Sequence, residues 1–296
     1  MKDVAWLVYL YPARWIARLL PIPWLYALGD ATAALSSACL GAPRKRLLER
    51  LSIGFDTHIA DPRLRDIANR YFRNAILRFL DDLLMGRLFR EGHLRKVEIV
   101  HLNNLTEALS AGKGALLVGG HFFAGRLAKR YLAEIGYPCL SVRNHDPPDL
   151  WAGQLGLRLL QKRYVAFLGE VLRDEVSIQA PDCSLKMLAR LRSGGLVECL
   201  VDAPFSREVI HRKFLGGDAG FSAGFLQVAK LAGCPLVPIH YSGNSRRLSI
   251  EFGQPLRLEI TPERRSFAEA NLSKVLCILE EQIRNYPAEW DSWIRW

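Results

Sequence analysis

The sequence has no Cys-x-x-Cys pair and no close grouping of cysteine with histidine, so neither a tetrahedral zinc site nor a disulfide framework is expected. Its six cysteines (Cys39, Cys139, Cys183, Cys199, Cys234 and Cys277) are scattered and mostly in apolar company, which predicts buried, reduced thiols in a protein facing the cytosol. Compact Lys/Arg runs interleaved with aromatics are missing, as are zinc-finger and RNP-like stretches, so no nucleic-acid partner is expected. A clean run of about 20 apolar residues is also lacking. The apolar stretch from Leu19 to Ala42 is interrupted by Pro21, Pro23, Gly29 and Asp30, which disfavours a transmembrane anchor. No small-residue cleavage site follows a short apolar run, and this argues against a secretory signal. Repeats, low-complexity tracts and long linkers are absent. Lysine is scarce, at 10 residues against 30 arginines.

What is present is a 296-residue chain, half hydrophobic, with 40 Lys+Arg against 30 Asp+Glu and a net charge of +10. A chain of this size buries a sizeable core without metal or disulfide staples. The arginine excess suits planar, bidentate contacts to phosphate or carboxylate, as on an acidic carrier or an anionic membrane. Trp6, Tyr9, Tyr11, Arg14, Trp15, Arg18, Trp24 and Tyr26 make the N-terminus aromatic and basic. Such a segment either lies in a membrane interface or packs as a helix pair on the protein's own core.

Residues 1–92 read as helical. From Asp61 to Met85, Leu64, Ile67, Ala68, Tyr71, Phe72, Ala75, Ile76, Phe79, Leu80 and Leu83 recur at three- and four-residue spacing, the stripe of an amphipathic helix. Residues 93–296 alternate short apolar runs with helical patterns. Strands are expected at Val97–Val100, Ala115–Val118, Cys139–Val142, Val165–Leu168, Leu196–Val201, Pro235–His240 and Leu248–Phe252, and helices at about 103–111, 123–136, 148–162, 183–193, 221–232 and 266–285. This pattern predicts an α/β fold: a largely parallel central sheet flanked by helices, with the N-terminal helical segment packed on it. The last two strands, joined through Ser242-Gly243-Asn244-Ser245, read as an antiparallel hairpin at one side.

Three segments carry candidate chemistry. In Val118-Gly119-Gly120-His121 a buried strand runs into two glycines and a histidine. Ligands of open α/β sheets bind beyond the carboxyl ends of strands, and glycines there let a substrate approach the backbone. A helix N-terminus just beyond His121 favours the neutral ring, able to accept a proton; the plain alternative is a hydrogen-bonded turn residue. The strand Leu196–Val201 ends in Asp202, with Glu198 four residues earlier on the same face, and a carboxylate in so apolar a run needs a partner or a task. The run Cys234-Pro235-Leu236-Val237-Pro238 places a proline inside a strand, which predicts an edge or a bulge.

In this order, the three segments resemble the lysophospholipid acyltransferase superfamily, and within it the bacterial lipid A late acyltransferases of the lauroyl/myristoyl type. Further segments carry the resemblance from about residue 15 to the end. They are Leu20-Pro21-Ile22-Pro23-Trp24 with Leu28-Gly29, and Arg143-Asn144-His145-Asp146-Pro147-Pro148. Val201-Asp202 through Arg207 to Phe214-Leu215-Gly216, Phe221 to Pro238, and Pro287-Ala288-Glu289-Trp290-Asp291-Ser292-Trp293 complete the set. Each is short, and the ordered set carries the likeness. One position departs from it: the family's signature is His, four residues, then Asp or Glu, and here Arg126 stands where the acid is expected. Arginine can neither accept a hydrogen bond from imidazole nor stabilise its positive charge.

The resemblance implies an acyltransferase at the cytoplasmic face of the inner membrane, peripheral or anchored by its N-terminus. It would carry a fatty acyl group from a thioester on acyl carrier protein or coenzyme A to a hydroxyl or amine of an amphiphilic membrane lipid, such as a lipid A-type glycolipid. The thioester is a co-substrate, and no resident cofactor is expected. His121 would be the general base, oriented by Asp202 or Glu198. Backbone donors around Gly119 and Gly120 would face the oxyanion, and Arg126, Arg143 and Arg207 would hold anionic parts of the substrates. The rival reading is a homologue that keeps the fold as a lipid-binding scaffold and has lost the chemistry. A carboxylate within hydrogen-bond reach of His121 separates the two.

Overall fold

The computed structural model describes residues 12–39, 41–94, 96–143, 174–203 and 209–294. Strand Val165–Leu168, the helix expected at 148–162, Arg207 and the aromatics Trp6, Tyr9 and Tyr11 lie outside them.

Four α-helices open the described chain: α1 (Arg14–Leu19), α2 (Ile22–Cys39), α3 (Gly41–Phe55) and α4 (Pro62–Arg90). The last begins where the sequence supplies a start signal. Asp61 accepts the backbone N–H of Arg63 at 2.9 Å, and Pro62 occupies the first turn, where its missing N–H costs nothing. At 29 residues, α4 is roughly 44 Å long. The expected stripe is buried from Leu64 to Phe72, but beyond it the buried face rotates to Leu77, Asp81, Asp82, Leu84, Met85 and Leu88. A second helix causes the rotation. Gly29 lets α2 lie against α4 so closely that a Cβ there would sit 2.4 Å from Leu80 Cδ1. Arg87 donates to the carbonyls of Leu20, at 2.9 Å, and Ala17, satisfying the open end of α1.

The remaining described elements are β1 (Val97–Val100), α5 (Leu102–Ser110), β2 (Ala115–Gly119), α6 (Gly125–Glu134), β3 (Cys139–Arg143), β4 (Glu175–Ser177), α7 (Cys183–Arg192), β5 (Leu196–Leu200), β6 (Val209–Phe214), β7 (Gly217–Ser222), α8 (Gly224–Ala232), β8 (Leu236–Asn244), β9 (Arg247–Phe252) and α9 (Arg264–Asn285). A 3₁₀ turn, Asp291–Ile294, follows. Seven strands form one sheet in the order β1-β9-β8-β2-β5-β3-β4. All its neighbours run parallel except β8 and β9. Strand β2 is buried along its whole length, as a strand covered on both faces must be.

Several expectations need correction. The β8–β9 hairpin exists, but its last pair is Asn244–Arg247, so the turn is Ser245-Arg246, and β1 lies outside β9. Strand β8 is interior, not an edge. Pro238 pairs with Val118 of β2 and is tolerated because on its β9 side it lies just beyond the pair at the other end of the β8–β9 ladder, Ile239–Phe252, where Gly253 N–H donates to the Pro238 carbonyl at 2.8 Å and the ladder asks for no further donor. The segment between Val201 and Pro235, where no strand is expected, contains β6, which pairs with β7 in a separate two-stranded sheet. Their turn is Leu215-Gly216, with φ 46° and 74°, the left-handed pair of a two-residue hairpin. Of the described cysteines, Cys139, Cys183, Cys199 and Cys234 are buried free thiols, and Cys277 is exposed.

The helical N-terminal part docks on the sheet through polar contacts as well as apolar ones. Tyr26 of α2 donates to Asp81 of α4 and accepts from Ser245 of the β8–β9 turn. Burial pushes the Asp81 carboxyl up to about 7.

Candidate active site

Strand β2 ends at Gly119 and β5 at Leu200, and these two residues are paired across the ladder. The chains then leave side by side, with Val201 N–H donating to the Gly119 carbonyl at 2.9 Å. His121 and Asp202, each two residues further on, therefore meet at the carboxyl edge of the sheet. His121 Nδ1 lies 2.5 Å from Asp202 Oδ1, and the His121 backbone N–H donates to Asp202 Oδ2 at 2.8 Å. The Asp202 side chain is fully buried, whereas that of His121 keeps about a quarter of its surface exposed. With Nδ1 committed to the carboxylate, Nε2 is the nitrogen left for a substrate.

Asp202 receives two more donors. Trp290 Nε1–H reaches Oδ2 at 2.6 Å and Ser292 Oγ at 3.1 Å. Burial alone would raise the Asp202 pKa. The imidazole beside it, with the hydrogen bonds from His121 and Trp290, outweighs burial and holds the carboxyl well below the usual range; such donors stabilise the ionised form.

The glycines before His121 have packing reasons of their own. A Cβ on Gly119 would lie 2.6 Å from the Ile239 carbonyl oxygen of β8, and one on Gly120 would lie 2.8 Å from Leu279 and 3.4 Å from Asp202 Oδ2. Beneath this turn, His240 of β8 meets the Phe122 ring edge-on at 4.5 Å and stacks on Tyr286 at 4.4 Å. Burial lowers its pKa to about 4, so it is neutral at physiological pH.

Glu198 is not brought to His121. It lies four residues upstream of Asp202, roughly 13 Å along an extended chain, and is committed elsewhere. Lys129 Nζ of α6 lies 2.7 Å from one of its oxygens, and Tyr241 Oη of β8 donates to the other at 2.7 Å. Both partners of the ion pair are almost fully buried. Lys129→Met should therefore strand a buried carboxylate and cost about 3–5 kcal/mol of stability, measured as a fall in the urea midpoint. Activity per folded molecule should stay near that of the parent.

Arg126, at the start of α6, points to the N-terminal helices and forms an ion pair with Asp82 of α4 at 2.5 Å. Arg143 is on the same carboxyl edge as His121 but two strands from β2, about 10 Å away, and pairs with Glu175 of β4 at 2.6 Å. Among the described residues, no group of three or more His, Cys, Asp or Glu side chains could hold a metal ion.

Trp290 and Ser292 are the site residues that the sequence reading did not assign. Their only signal is the Pro287-Ala288-Glu289-Trp290-Asp291-Ser292-Trp293 element near the C-terminus, which says nothing about the carboxylate they touch 88 and 90 residues away.

A family model described as bacterial lipid A biosynthesis acyltransferase matches residues 2–295 of the chain. No curated protein matches it.

Proposed function

The chain belongs to the bacterial lipid A biosynthesis acyltransferase family, and from this we propose that it moves a fatty acyl group from a thioester, on acyl carrier protein or coenzyme A, to a hydroxyl or amine of an amphiphilic acceptor. The observation that carries the reading is the hydrogen bond between His121 Nδ1 and Asp202 Oδ1. It argues against a scaffold that has lost the chemistry, because the orienting carboxylate comes from β5's edge although Arg126 stands on α6.

In this mechanism Asp202 keeps the proton of the neutral imidazole on Nδ1, so the Nε2 lone pair faces the substrate. The acceptor oxygen or nitrogen attacks the thioester carbonyl carbon as Nε2 takes its proton. The tetrahedral intermediate carries its negative charge on the former carbonyl oxygen, towards backbone donors around Gly119 and Gly120. When it collapses, the carbon–sulfur bond breaks and the imidazolium returns the proton to the leaving thiolate. Asp202 stays ionised throughout. The 30 arginines bias the surface towards acidic carriers and anionic lipids. Arg143 and Arg207 are the candidate anchors for anionic parts of the substrates, and Arg126 acts structurally through Asp82.

The membrane side of the reading rests on α1 and α2. Trp15, Leu19 and Trp24 are 64 %, 79 % and 69 % exposed, and Ile16, Leu28 and Leu35 are exposed beside them. Among the described residues, no helix is long and apolar enough to cross a membrane, so we place this surface in the interface of the inner membrane's cytoplasmic leaflet.

The test is a transfer assay with acyl carrier protein or coenzyme A thioesters, anionic vesicles and a lipid A-type precursor as the first acceptor. Mass spectrometry follows the acceptor. The expected product is the acceptor plus one acyl chain, with one free thiol released per transfer. The Trp15→Ser/Trp24→Ser variant should bind vesicles about tenfold more weakly, yet turn over detergent-dispersed acceptor as the parent does. Failure to acylate any amphiphilic acceptor from either thioester would overturn the proposal.

A further inference from the structure

We infer that Trp290 and Ser292 are positioning residues for the catalytic pair, carried by a C-terminal clamp, Pro287–Ser292, that holds His121 and Asp202 at once. The inference rests on the acyl-transfer reading above and deepens it.

The clamp acts first on Asp202. Oδ2 accepts three hydrogen bonds, from His121 N–H, Trp290 Nε1–H and Ser292 Oγ, which uses its lone-pair directions. Oδ1 is left to the imidazole. The carboxylate cannot swing its second oxygen towards Nδ1 without breaking a buried, charge-assisted bond. Trp290 is fully buried and Ser292 nearly so, so water cannot replace either donor.

The same residues hold the histidine turn. Asp291 N–H donates to the His121 carbonyl at 2.7 Å, and Phe123 N–H donates to the Glu289 carbonyl at 2.9 Å. Phe122 and Trp290 form an antiparallel bridge. On its other side the clamp is fastened to α4, through Asn74 Nδ2 to the Ala288 carbonyl at 3.0 Å and Tyr71 Oη to the Asp291 carbonyl at 2.9 Å. Trp293 Nε1–H closes it by donating to the Pro287 carbonyl at 2.8 Å. A Cβ on Gly120 would lie 2.8 Å from Leu279 Cδ1 and 3.3 Å from Trp290 Nε1, so a side chain there would press on the leucine and on the donor of the clamp. A purely structural tryptophan would not need its N–H aimed at the carboxylate that orients the base.

The test compares Trp290→Phe, which keeps the ring and deletes the N–H, with Ser292→Ala, a smaller change that should fold even if the first does not. Each should lower kcat about ten- to hundredfold and leave KM within about twofold, because the lost bond concerns proton transfer rather than binding. Removing a donor also makes the carboxylate more basic, so the pair holds its proton more tightly. The acid limb of the kcat–pH profile should then move up by about one unit. Among the described residues, the other ionisable groups facing this edge include Arg78 and Asp291, 3.6 Å apart, Glu289 on the clamp, His240 under Phe122 and, two strands away, the Arg143–Glu175 pair; both variants leave them in place. A lower melting temperature with unchanged kcat and acid limb in both variants would reduce the clamp to a structural element and overturn the inference. His121→Ala and Asp202→Asn run in parallel: if these stay active, the catalytic roles of His121 and Asp202 fail, and if the parent itself transfers no acyl group the acyl-transfer reading fails, whatever the clamp variants do.

Discussion

His121→Ala is expected to abolish acyl transfer, lowering kcat by about 10⁴–10⁶ while the protein folds and binds vesicles as before. The side chain is partly exposed and its polar partner among the described residues is Asp202, so removing it costs little packing. What disappears is the proposed proton acceptor at the carboxyl edge between β2 and β5. The assay that measures free thiol and acylated acceptor decides the matter. Activity within tenfold of the parent would remove His121 from the mechanism.

Asp202→Asn is the second large effect, expected at about 10³–10⁴ in kcat. The amide is isosteric, and its oxygen can keep the bonds from Trp290, Ser292 and the His121 backbone, which leaves its NH₂ facing Nδ1. The ring must then accept at Nδ1 and carry its proton on Nε2, the wrong tautomer for a base. The same substitution changes the acid stability of the protein. The Asp202 carboxyl is held below its ordinary value in the folded chain, so on acidification the unfolded chain takes up a proton there that the folded chain refuses. Its contribution to stability is therefore present above about pH 4 and is lost as pH falls through and below that value. Urea midpoints between pH 3 and 6 should fall on acidification in the parent and less steeply in Asp202→Asn. Equal slopes would show that Asp202 is not ionised and bonded as described.

The α/β order, the strands flanking the site and the turn that carries His121 were legible because they depend on local patterning. Apolar runs of four to six residues and glycine pairs reveal themselves within a short window. The long helix α4 was legible in its first half for the same reason. Its second half was not, since α2 covers a face that periodicity assigns to solvent, and Asp81 and Asp82 are buried there by partners far along the chain. Strands β6 and β7 were missed because a polar stretch such as Val209–Phe214 has no apolar alternation to betray it.

Between Asp202 and Glu198 the sequence could not choose, since strand alternation puts both on one face. Register decided: Gly119 pairs with Leu200, so the residue two past each strand end meets its counterpart, whereas Glu198 is still inside the sheet beside Leu117 and needs Lys129 to neutralise it. Arg126 shows the same division. Its chemistry rules it out as the orienting acid from sequence alone, but only packing against α4 reveals that Asp82 takes its charge. Composition and spacing thus determined the class of fold, the family resemblance and the candidate base. The identity of its carboxylate partner, and the tryptophan and serine that hold that carboxylate, came from contacts between residues 80 to 90 positions apart. Such contacts depend on strand order and register, which no local pattern encodes.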